Sequence, residues 1–217
     1  MKTTNRWWVG FLTLLAAGET SADKLYKLTD LGVVAGHPIL EATAITGAGQ
    51  VAVNATDNFG FWTPYLHTNG NLIPMATTGT QRLSMSILAS SPSGLMGGVS
   101  SDFNGYLKPT IFFTTGGKAE VDIQGVLNAT IRGVNDLGQR VGEEVDVNQM
   151  KFAFFVHNGN HRRLTGEDSI ARGINSLGEV VGDHYTNGER KAFYYDSNTT
   201  TFTGRQSKSI SVKIRRL

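Results

Sequence analysis

Between Leu25 and Thr203, short segments of mixed hydrophobic and polar residues are interrupted again and again by turn-forming Gly and Asn. This is the pattern of short antiparallel strands. No apolar stripe at 3.6-residue spacing follows Asp23, so little helix is expected. The last third of the chain shows the order most clearly. Ala171-Arg-Gly-Ile174 leads into Asn175-Ser-Leu-Gly178, and Glu179-Val-Val-Gly-Asp183 returns. Asn bonds the backbone two residues on and Gly supplies a positive φ, so Asn175 and Gly178 bound a hairpin turn. A polar loop is expected over 184–190. An aromatic strand, Lys191-Ala-Phe-Tyr-Tyr195, comes next, then a turn at 196–198 and a weak strand near Thr200 to Thr203.

The same order occurs four times. Its centres read Ala44-Ile-Thr-Gly-Ala-Gly49, Ala89-Ser-Ser-Pro-Ser-Gly94, Gly133-Val-Asn-Asp-Leu-Gly138 and Gly173-Ile-Asn-Ser-Leu-Gly178. Gly49, Gly94, Gly138 and Gly178 anchor the repeats, with Asn135 and Asn175 as turn residues in the third and fourth. A period of about 40 to 45 residues with four short strands is the size of one β-propeller blade. The expected fold is all-β, a propeller-like array of four four-stranded repeats; an open partial propeller and a β-solenoid are the alternatives. Ala44, Ala89, Gly133 and Gly173 are small enough for crowded strands near an axis. Leu25-Tyr-Lys-Leu-Thr-Asp-Leu-Gly32 resembles the end of a repeat and could supply the outer strand of the last blade; Ile210-Ser-Val-Lys-Ile214 could compete for that edge.

The N-terminus changes the picture of location. Lys2 and Arg6 precede the apolar run Trp7 to Gly18, and Thr20-Ser-Ala22 offers a small-residue cleavage site. This is the layout of a secretory signal peptide over 1–22, with a single repeat domain over 23–217. The run is too short to span a bilayer, and no later stretch is long or apolar enough for a transmembrane helix. The expected product is secreted, to the periplasm, the cell surface or the medium.

Composition narrows the chemistry. With 40% hydrophobic and 18% charged residues the chain is globular, and its 26 glycines fit many tight turns. A net charge of +2 gives no footprint for nucleic acid. The basic residues Lys208, Lys213, Arg215 and Arg216 read as a solvated tail. The absence of cysteine excludes disulfides, thiolate metal sites and a Cys nucleophile. His157 and His161 are four apart but straddle a Gly159 turn, where that spacing makes no metal pair. No nucleophile elbow, phosphate loop or calcium loop occurs. Glu143-Glu144-Val-Asp146 reads as an exposed hairpin end, and Asp136 and Asp183 as turn caps. No metal, cofactor or catalytic residue is expected.

The quoted residues resemble the bacterial extracellular HAF-repeat family. Leu28-Thr-Asp-Leu-Gly32 matches the family's opening, and Ala171-Arg-Gly-Ile-Asn175 through Gly182 its centre. Lys191-Ala-Phe-Tyr-Tyr195 and Lys151-Phe-Ala-Phe-Phe155 stand at its aromatic strand, with Lys near the position where the family has His. The similarity covers roughly Leu25 to Phe202; repeats three and four fit well, repeat one loosely and repeat two poorly. The resemblance implies a secreted or surface-associated repeat protein and transfers no catalytic residue.

One set of loops is a candidate site. Asp57-Asn-Phe-Gly-Phe-Trp62, Ser101-Asp-Phe-Asn-Gly-Tyr106 and Asp183-His-Tyr-Thr-Asn-Gly188 combine aromatics with polar groups between the second and third strands of their repeats. Equivalent propeller loops share one face of the disc. Phe59, Trp62, Phe103, Tyr106 and Tyr185 are therefore candidate ligand contacts, with ring faces for apolar surface and amides for orientation; the competing reading packs these aromatics between blades, Trp62 first. The expected function is a non-catalytic binding or scaffold module, monomeric, for a polysaccharide or a protein. The alternatives are a propeller-type glycan hydrolase or lyase, which needs paired carboxylates that the chain does not display, and a purely structural or degenerate repeat fragment.

Overall fold

The computed structural model describes residues 28–76, 83–166 and 168–198, with 201–203 as backbone. The chain divides into Met1–Asp30 and Leu31–Leu217, and all sheets belong to the second unit. The expected signal segment and the basic tail lie outside the described residues, as does the strand proposed over 210–214.

Among the described residues, sixteen strands form four antiparallel sheets, each a simple meander of consecutive strands. The first holds β1 (Ile39–Ile45), β2 (Val51–Thr56), β3 (Trp62–Thr68) and β4 (Asn71–Pro74). The second holds β5 (Met85–Ser90), β6 (Met96–Ser101), β7 (Leu107–Phe112) and β8 (Lys118–Glu120). The third holds β9 (Val126–Val134), β10 (Arg140–Asp146), β11 (Lys151–His157) and β12 (Asn160–Arg163). The fourth holds β13 (Ser169–Ile174), β14 (Glu179–Thr186), β15 (Glu189–Asp196) and β16 (Thr201–Thr203). The propeller-like array of four repeats is thus the observed architecture.

Each first-to-second turn is closed by its own polar side chain. Asn135 Oδ1 accepts from the amides of Leu137 and Gln139, and Asn175 Oδ1 from those of Leu177 and Glu179. Thr46 and Ser91 do the same with hydroxyls, accepting from Gln50 and Leu95. Gly49, Gly94, Gly138 and Gly178 all have positive φ, which explains their regular spacing. Every inner strand carries a bulge at the same place, skipping Thr43, Leu88, Arg132 and Arg172. Across from it the partner strand comes so close that a Cβ at Gly98, Gly142 or Gly182 would strike a carbonyl oxygen of the inner strand. The last glycine of the repeat motif is there for that approach; the first sheet has Val53 instead.

The core lies between sheets. Ala52, Leu66, Met85, Ile87, Met96 and Phe112 fill the first interface. Ile111, Ala129, Ile131, Phe154 and Val156 fill the second, and Val141, Ala153, Ala171, Val180, Phe193 and Tyr195 the third. The first-to-second turns also bond sideways. Gly47 N donates to Pro92 O at 2.9 Å, Ser93 N to Asp136 Oδ1 at 2.9 Å, and Asn135 Nδ2 to Asn175 O at 2.9 Å. Asp136 therefore caps its neighbour's turn, which holds its carboxyl below the usual range through bonds from Ser91 and Ser93. Ala44, Ala89, Gly133 and Gly173, one per sheet, line a common hollow with Arg132.

Four expectations need correction. Asp183 caps no turn; it lies within β14 and pairs with Arg172 and Arg190. Residues 28–32 form no strand, and β16 already occupies the outer edge of the fourth sheet, so that sheet is completed from its own repeat. The supposed loop over 184–190 is mostly strand. Asn187 and Gly188, at φ 53° and 79°, make a two-residue turn, so β14 and β15 run right up to it. The acidic cluster is not an exposed hairpin end. Glu144 is fully buried, bonded by His161 Nε2 and by Arg163 Nε at 2.6 Å, while Glu143 pairs with Arg132 and Lys151.

Candidate functional site

The antiparallel meander puts the second-to-third hairpins of all four sheets at the end opposite the first-to-second turns. All five candidate residues sit at those hairpins. In the first sheet, Asp57 Oδ1 accepts from Phe59 N at 2.8 Å and Phe61 N at 3.0 Å. In the second, Asp102 Oδ1 accepts from Asn104 N and Tyr106 N, both at 2.9 Å. Asp146 repeats the arrangement in the third, accepting from Asn148 N and Met150 N. These aspartates shape the hairpins and so aim what the hairpins carry.

What they carry is largely open to solvent. Phe59 is 71% exposed and Phe103 72%, so neither packs between sheets. Tyr106 and Tyr185 are exposed as well. Trp62 is half-buried rather than core, and its amide donates to Ser84 Oγ at 3.2 Å. Tyr185 lies within β14, its amide donating to Asp168 O at 3.0 Å. The third sheet adds exposed Val147, which sequence reading passes over because no aromatic marks that hairpin. Its signal is Asp146, which holds the position of Asp57 and Asp102 in the repeat.

The polar half of the predicted site is already engaged. The Oδ1 atoms of Asp57 and Asp102 are tied to their own hairpins, and Lys108 Nζ stands 3.9 Å from Asp102 Oδ2. The end therefore offers ring and aliphatic surface on rigid turns, with the exposed side chains of Asn58, Asn104, Asn148 and Asn187 beside it. Among the described residues no group of three or more His, Asp or Glu side chains could hold a metal ion.

The sharpest electrostatic perturbation is at the other end. Tyr194 Oη donates to Glu179 Oε1 at 2.6 Å. That bond pushes the phenol up to about 12 and holds Glu179 below the carboxylate range, with Asn175 adding a second bond to Glu179.

Solved structures share this fold. A putative TolB from Agrobacterium tumefaciens aligns over 78% of this chain and 62% of its own, with a TM-score of 0.58 and 13% identity. TolB from Acinetobacter baumannii aligns over 76% of this chain and 42% of its own, with a TM-score of 0.57 and 18% identity. The likeness is one of fold. The chain spans less than two thirds of the length of either TolB structure. No protein-family model matches the sequence, and no curated protein sequence does. Among the described residues no helix is long and apolar enough to cross a membrane.

Proposed function

We propose that this chain is an exported, non-catalytic binding module of the HAF-repeat kind, which grips its ligand with the second-to-third hairpins. The observation that carries this reading is the exposure of Phe59, Phe103, Tyr106 and Tyr185 at one end of three sheets. Exposed aromatic rings on turns already fixed by Asp side chains lose little freedom on binding, which is what makes aromatic anchors effective. Exposed rings with few charged groups around them suit an apolar protein surface, and the exposed side chains of Asn58, Asn104 and Asn187 keep a polysaccharide as the second ligand class. Export rests on the N-terminal layout of charge, apolar run and small residues.

The test replaces Phe103 and Tyr106 with Ala and measures binding to polysaccharides on an array and to exported proteins by crosslinking. The expected result is capture of a protein by the unaltered chain and at least a tenfold loss in the variant, roughly the 1–2 kcal/mol of a modest hot spot, with an unchanged melting temperature. Unchanged binding would remove the hairpin site. Capture of a glycan alone would move the ligand class, and turnover of a labelled glycan would overturn the non-catalytic reading.

A further inference from the structure

The second sheet departs from its neighbours at one place. The residue that follows each outer strand bonds back to the third strand in the same way: Met75 N to Pro64 O at 2.9 Å, Val121 N to Pro109 O at 2.7 Å and Leu164 N to Ala153 O at 2.9 Å. Met75 and Leu164 then plug the flanks of their sheets and are 2% and 8% exposed. Val121 is shorter and only partly buried. A hollow of about 370 Å³ remains there, between the first half of β7 and the connection from β8 to β9. Pro109, Ile123 and Ala129, all buried, form its floor. The short outer strand keeps it open. β8 pairs only with Thr110, Ile111 and Phe112, so the chain leaves β7 early and turns at Gly125, at a φ of 73°.

The neighbouring positions depart as well. Glu120 and Asp122 flank Val121 on the rim, where the first sheet has Pro74 and Ala76 and the third has Arg163 and Thr165. Ser100 Oγ and Lys118 Nζ both bond Glu120 Oε1, at 3.1 and 2.6 Å, and leave Oε2 for a ligand. The Lys118 bond holds this carboxyl below the usual range, so it is charged at neutral pH. Asp122 is exposed and has no ion-pair partner among the described residues. Lys108 is drawn the other way, its Nζ 3.9 Å from Asp102 Oδ2. Asp102, Glu120 and Asp122 against Lys108 and Lys118 leave one carboxylate in excess. The hollow thus has an apolar floor and an acidic rim.

We propose that this hollow takes one Lys or Arg side chain of the protein bound at the hairpin end, its aliphatic stem against Leu107 and Val126 and its charged head at Glu120 and Asp122. The proposal rests on the reading of that end as a protein-binding surface. Leu107 directly follows Tyr106, so the hollow is the edge of the same surface. Long cationic side chains bury their methylenes while the head stays near water, and a charge-assisted bond to a carboxylate is stronger than a neutral one. An uncharged apolar side chain would leave the acids unanswered, and an anion would meet like charge. At about 370 Å³ the hollow is at the small end of the range of ligand pockets, roughly 300–1,000 Å³, with room for one side chain rather than for a strand or a helix.

A phage-displayed library of random dodecapeptides, panned on the purified protein, supplies the probe, and fluorescence anisotropy measures its binding as a free peptide. The enriched sequences should carry Lys or Arg at one position among apolar residues. Norleucine at that position keeps the stem and drops the charge, and should weaken binding by about tenfold or more. V121L places in the hollow the residue that the third sheet has at Leu164, and D122N removes a charge at constant volume. Each should weaken the probe by about fivefold or more, with the melting temperature of V121L unchanged or raised. F103A with Y106A separates this proposal from the hairpin reading. If that variant loses the probe while V121L, D122N and norleucine change nothing, the hairpins bind and the hollow takes no cation. If V121L and D122N lose the probe and F103A with Y106A keeps it, the cation site stands and the hairpin reading falls. Panning that enriches no basic residue would overturn the proposal.

Discussion

Gly133 shows how little room the inner strands leave. A methyl there would lie 3.1 Å from Ile174 N and 3.2 Å from Gly173 Cα, both backbone atoms of the next sheet, and 2.9 Å from a Val141 methyl. Backbone cannot turn aside as a side chain does. Gly133→Val should therefore destabilise the protein by about 1–3 kcal/mol, as overpacking generally does, seen as a lower denaturant midpoint with an unchanged slope. Gly173 is the control. A Cβ there meets only a Val181 methyl at 3.9 Å, so Gly173→Ala should be milder. The sequence shows that both residues are small and that both face the axis, but not which of them is pressed. That depends on whether another sheet follows.

At the scale of one strand pair, turn chemistry sets how long the strands can be. Asn187 and Gly188 carry β14 directly into β15, as Asn69–Gly70 and Asn158–Gly159 join their own pairs with positive φ at both positions. Gly188→Val puts a β-branched residue at a φ of 79°, at a cost of roughly 1–2 kcal/mol. Amide exchange should then speed up in Tyr185, Thr186, Glu189 and Arg190 before it does so in β13. The Asn-Gly pair was visible in the sequence, yet the polar residues around it suggested a loop. Their polarity reflects an outer sheet end reaching into water, not a lack of pairing. Glu144 was hidden for a different reason. Its partners His161 and Arg163 lie on another strand, and a carboxylate in a charged run carries no mark of the burial that those partners make tolerable.

For the whole molecule, the number of sheets, their strand order, the capped turns and the small axial residues could all be read from the repeat, because each is local to one unit. The hairpin aromatics could be read as residues, though their Asp neighbours turned out to build the turns. What could not be read was which units have neighbours. Val141 and Val181 occupy the same position in the same motif, yet one is fully buried and the other 54% exposed. In an array where each unit rests on the next, stability accumulates from neighbour contacts and the ends are weakest. In dilute solution, amide exchange should be slowest in β6, β9 and β10 and faster in β2 and β14. Uniform protection across the four sheets would show the array unfolding as one unit.

The sideways bonds between turns are built differently at each junction. Gly47 N donates to the backbone oxygen of Pro92, Ser93 N to the Asp136 carboxylate and the Asn135 side chain to Asn175 O, while Ser90 Oγ and Gly117 N reach back to Ile45 O and Met75 O. The junctions are therefore individually addressed. A second copy of the Ser93 turn placed after the first would meet Pro92 where Asp136 now stands and would find no carboxylate there. The four units are alike in fold, yet the bonds between their turns fix the order in which they follow one another.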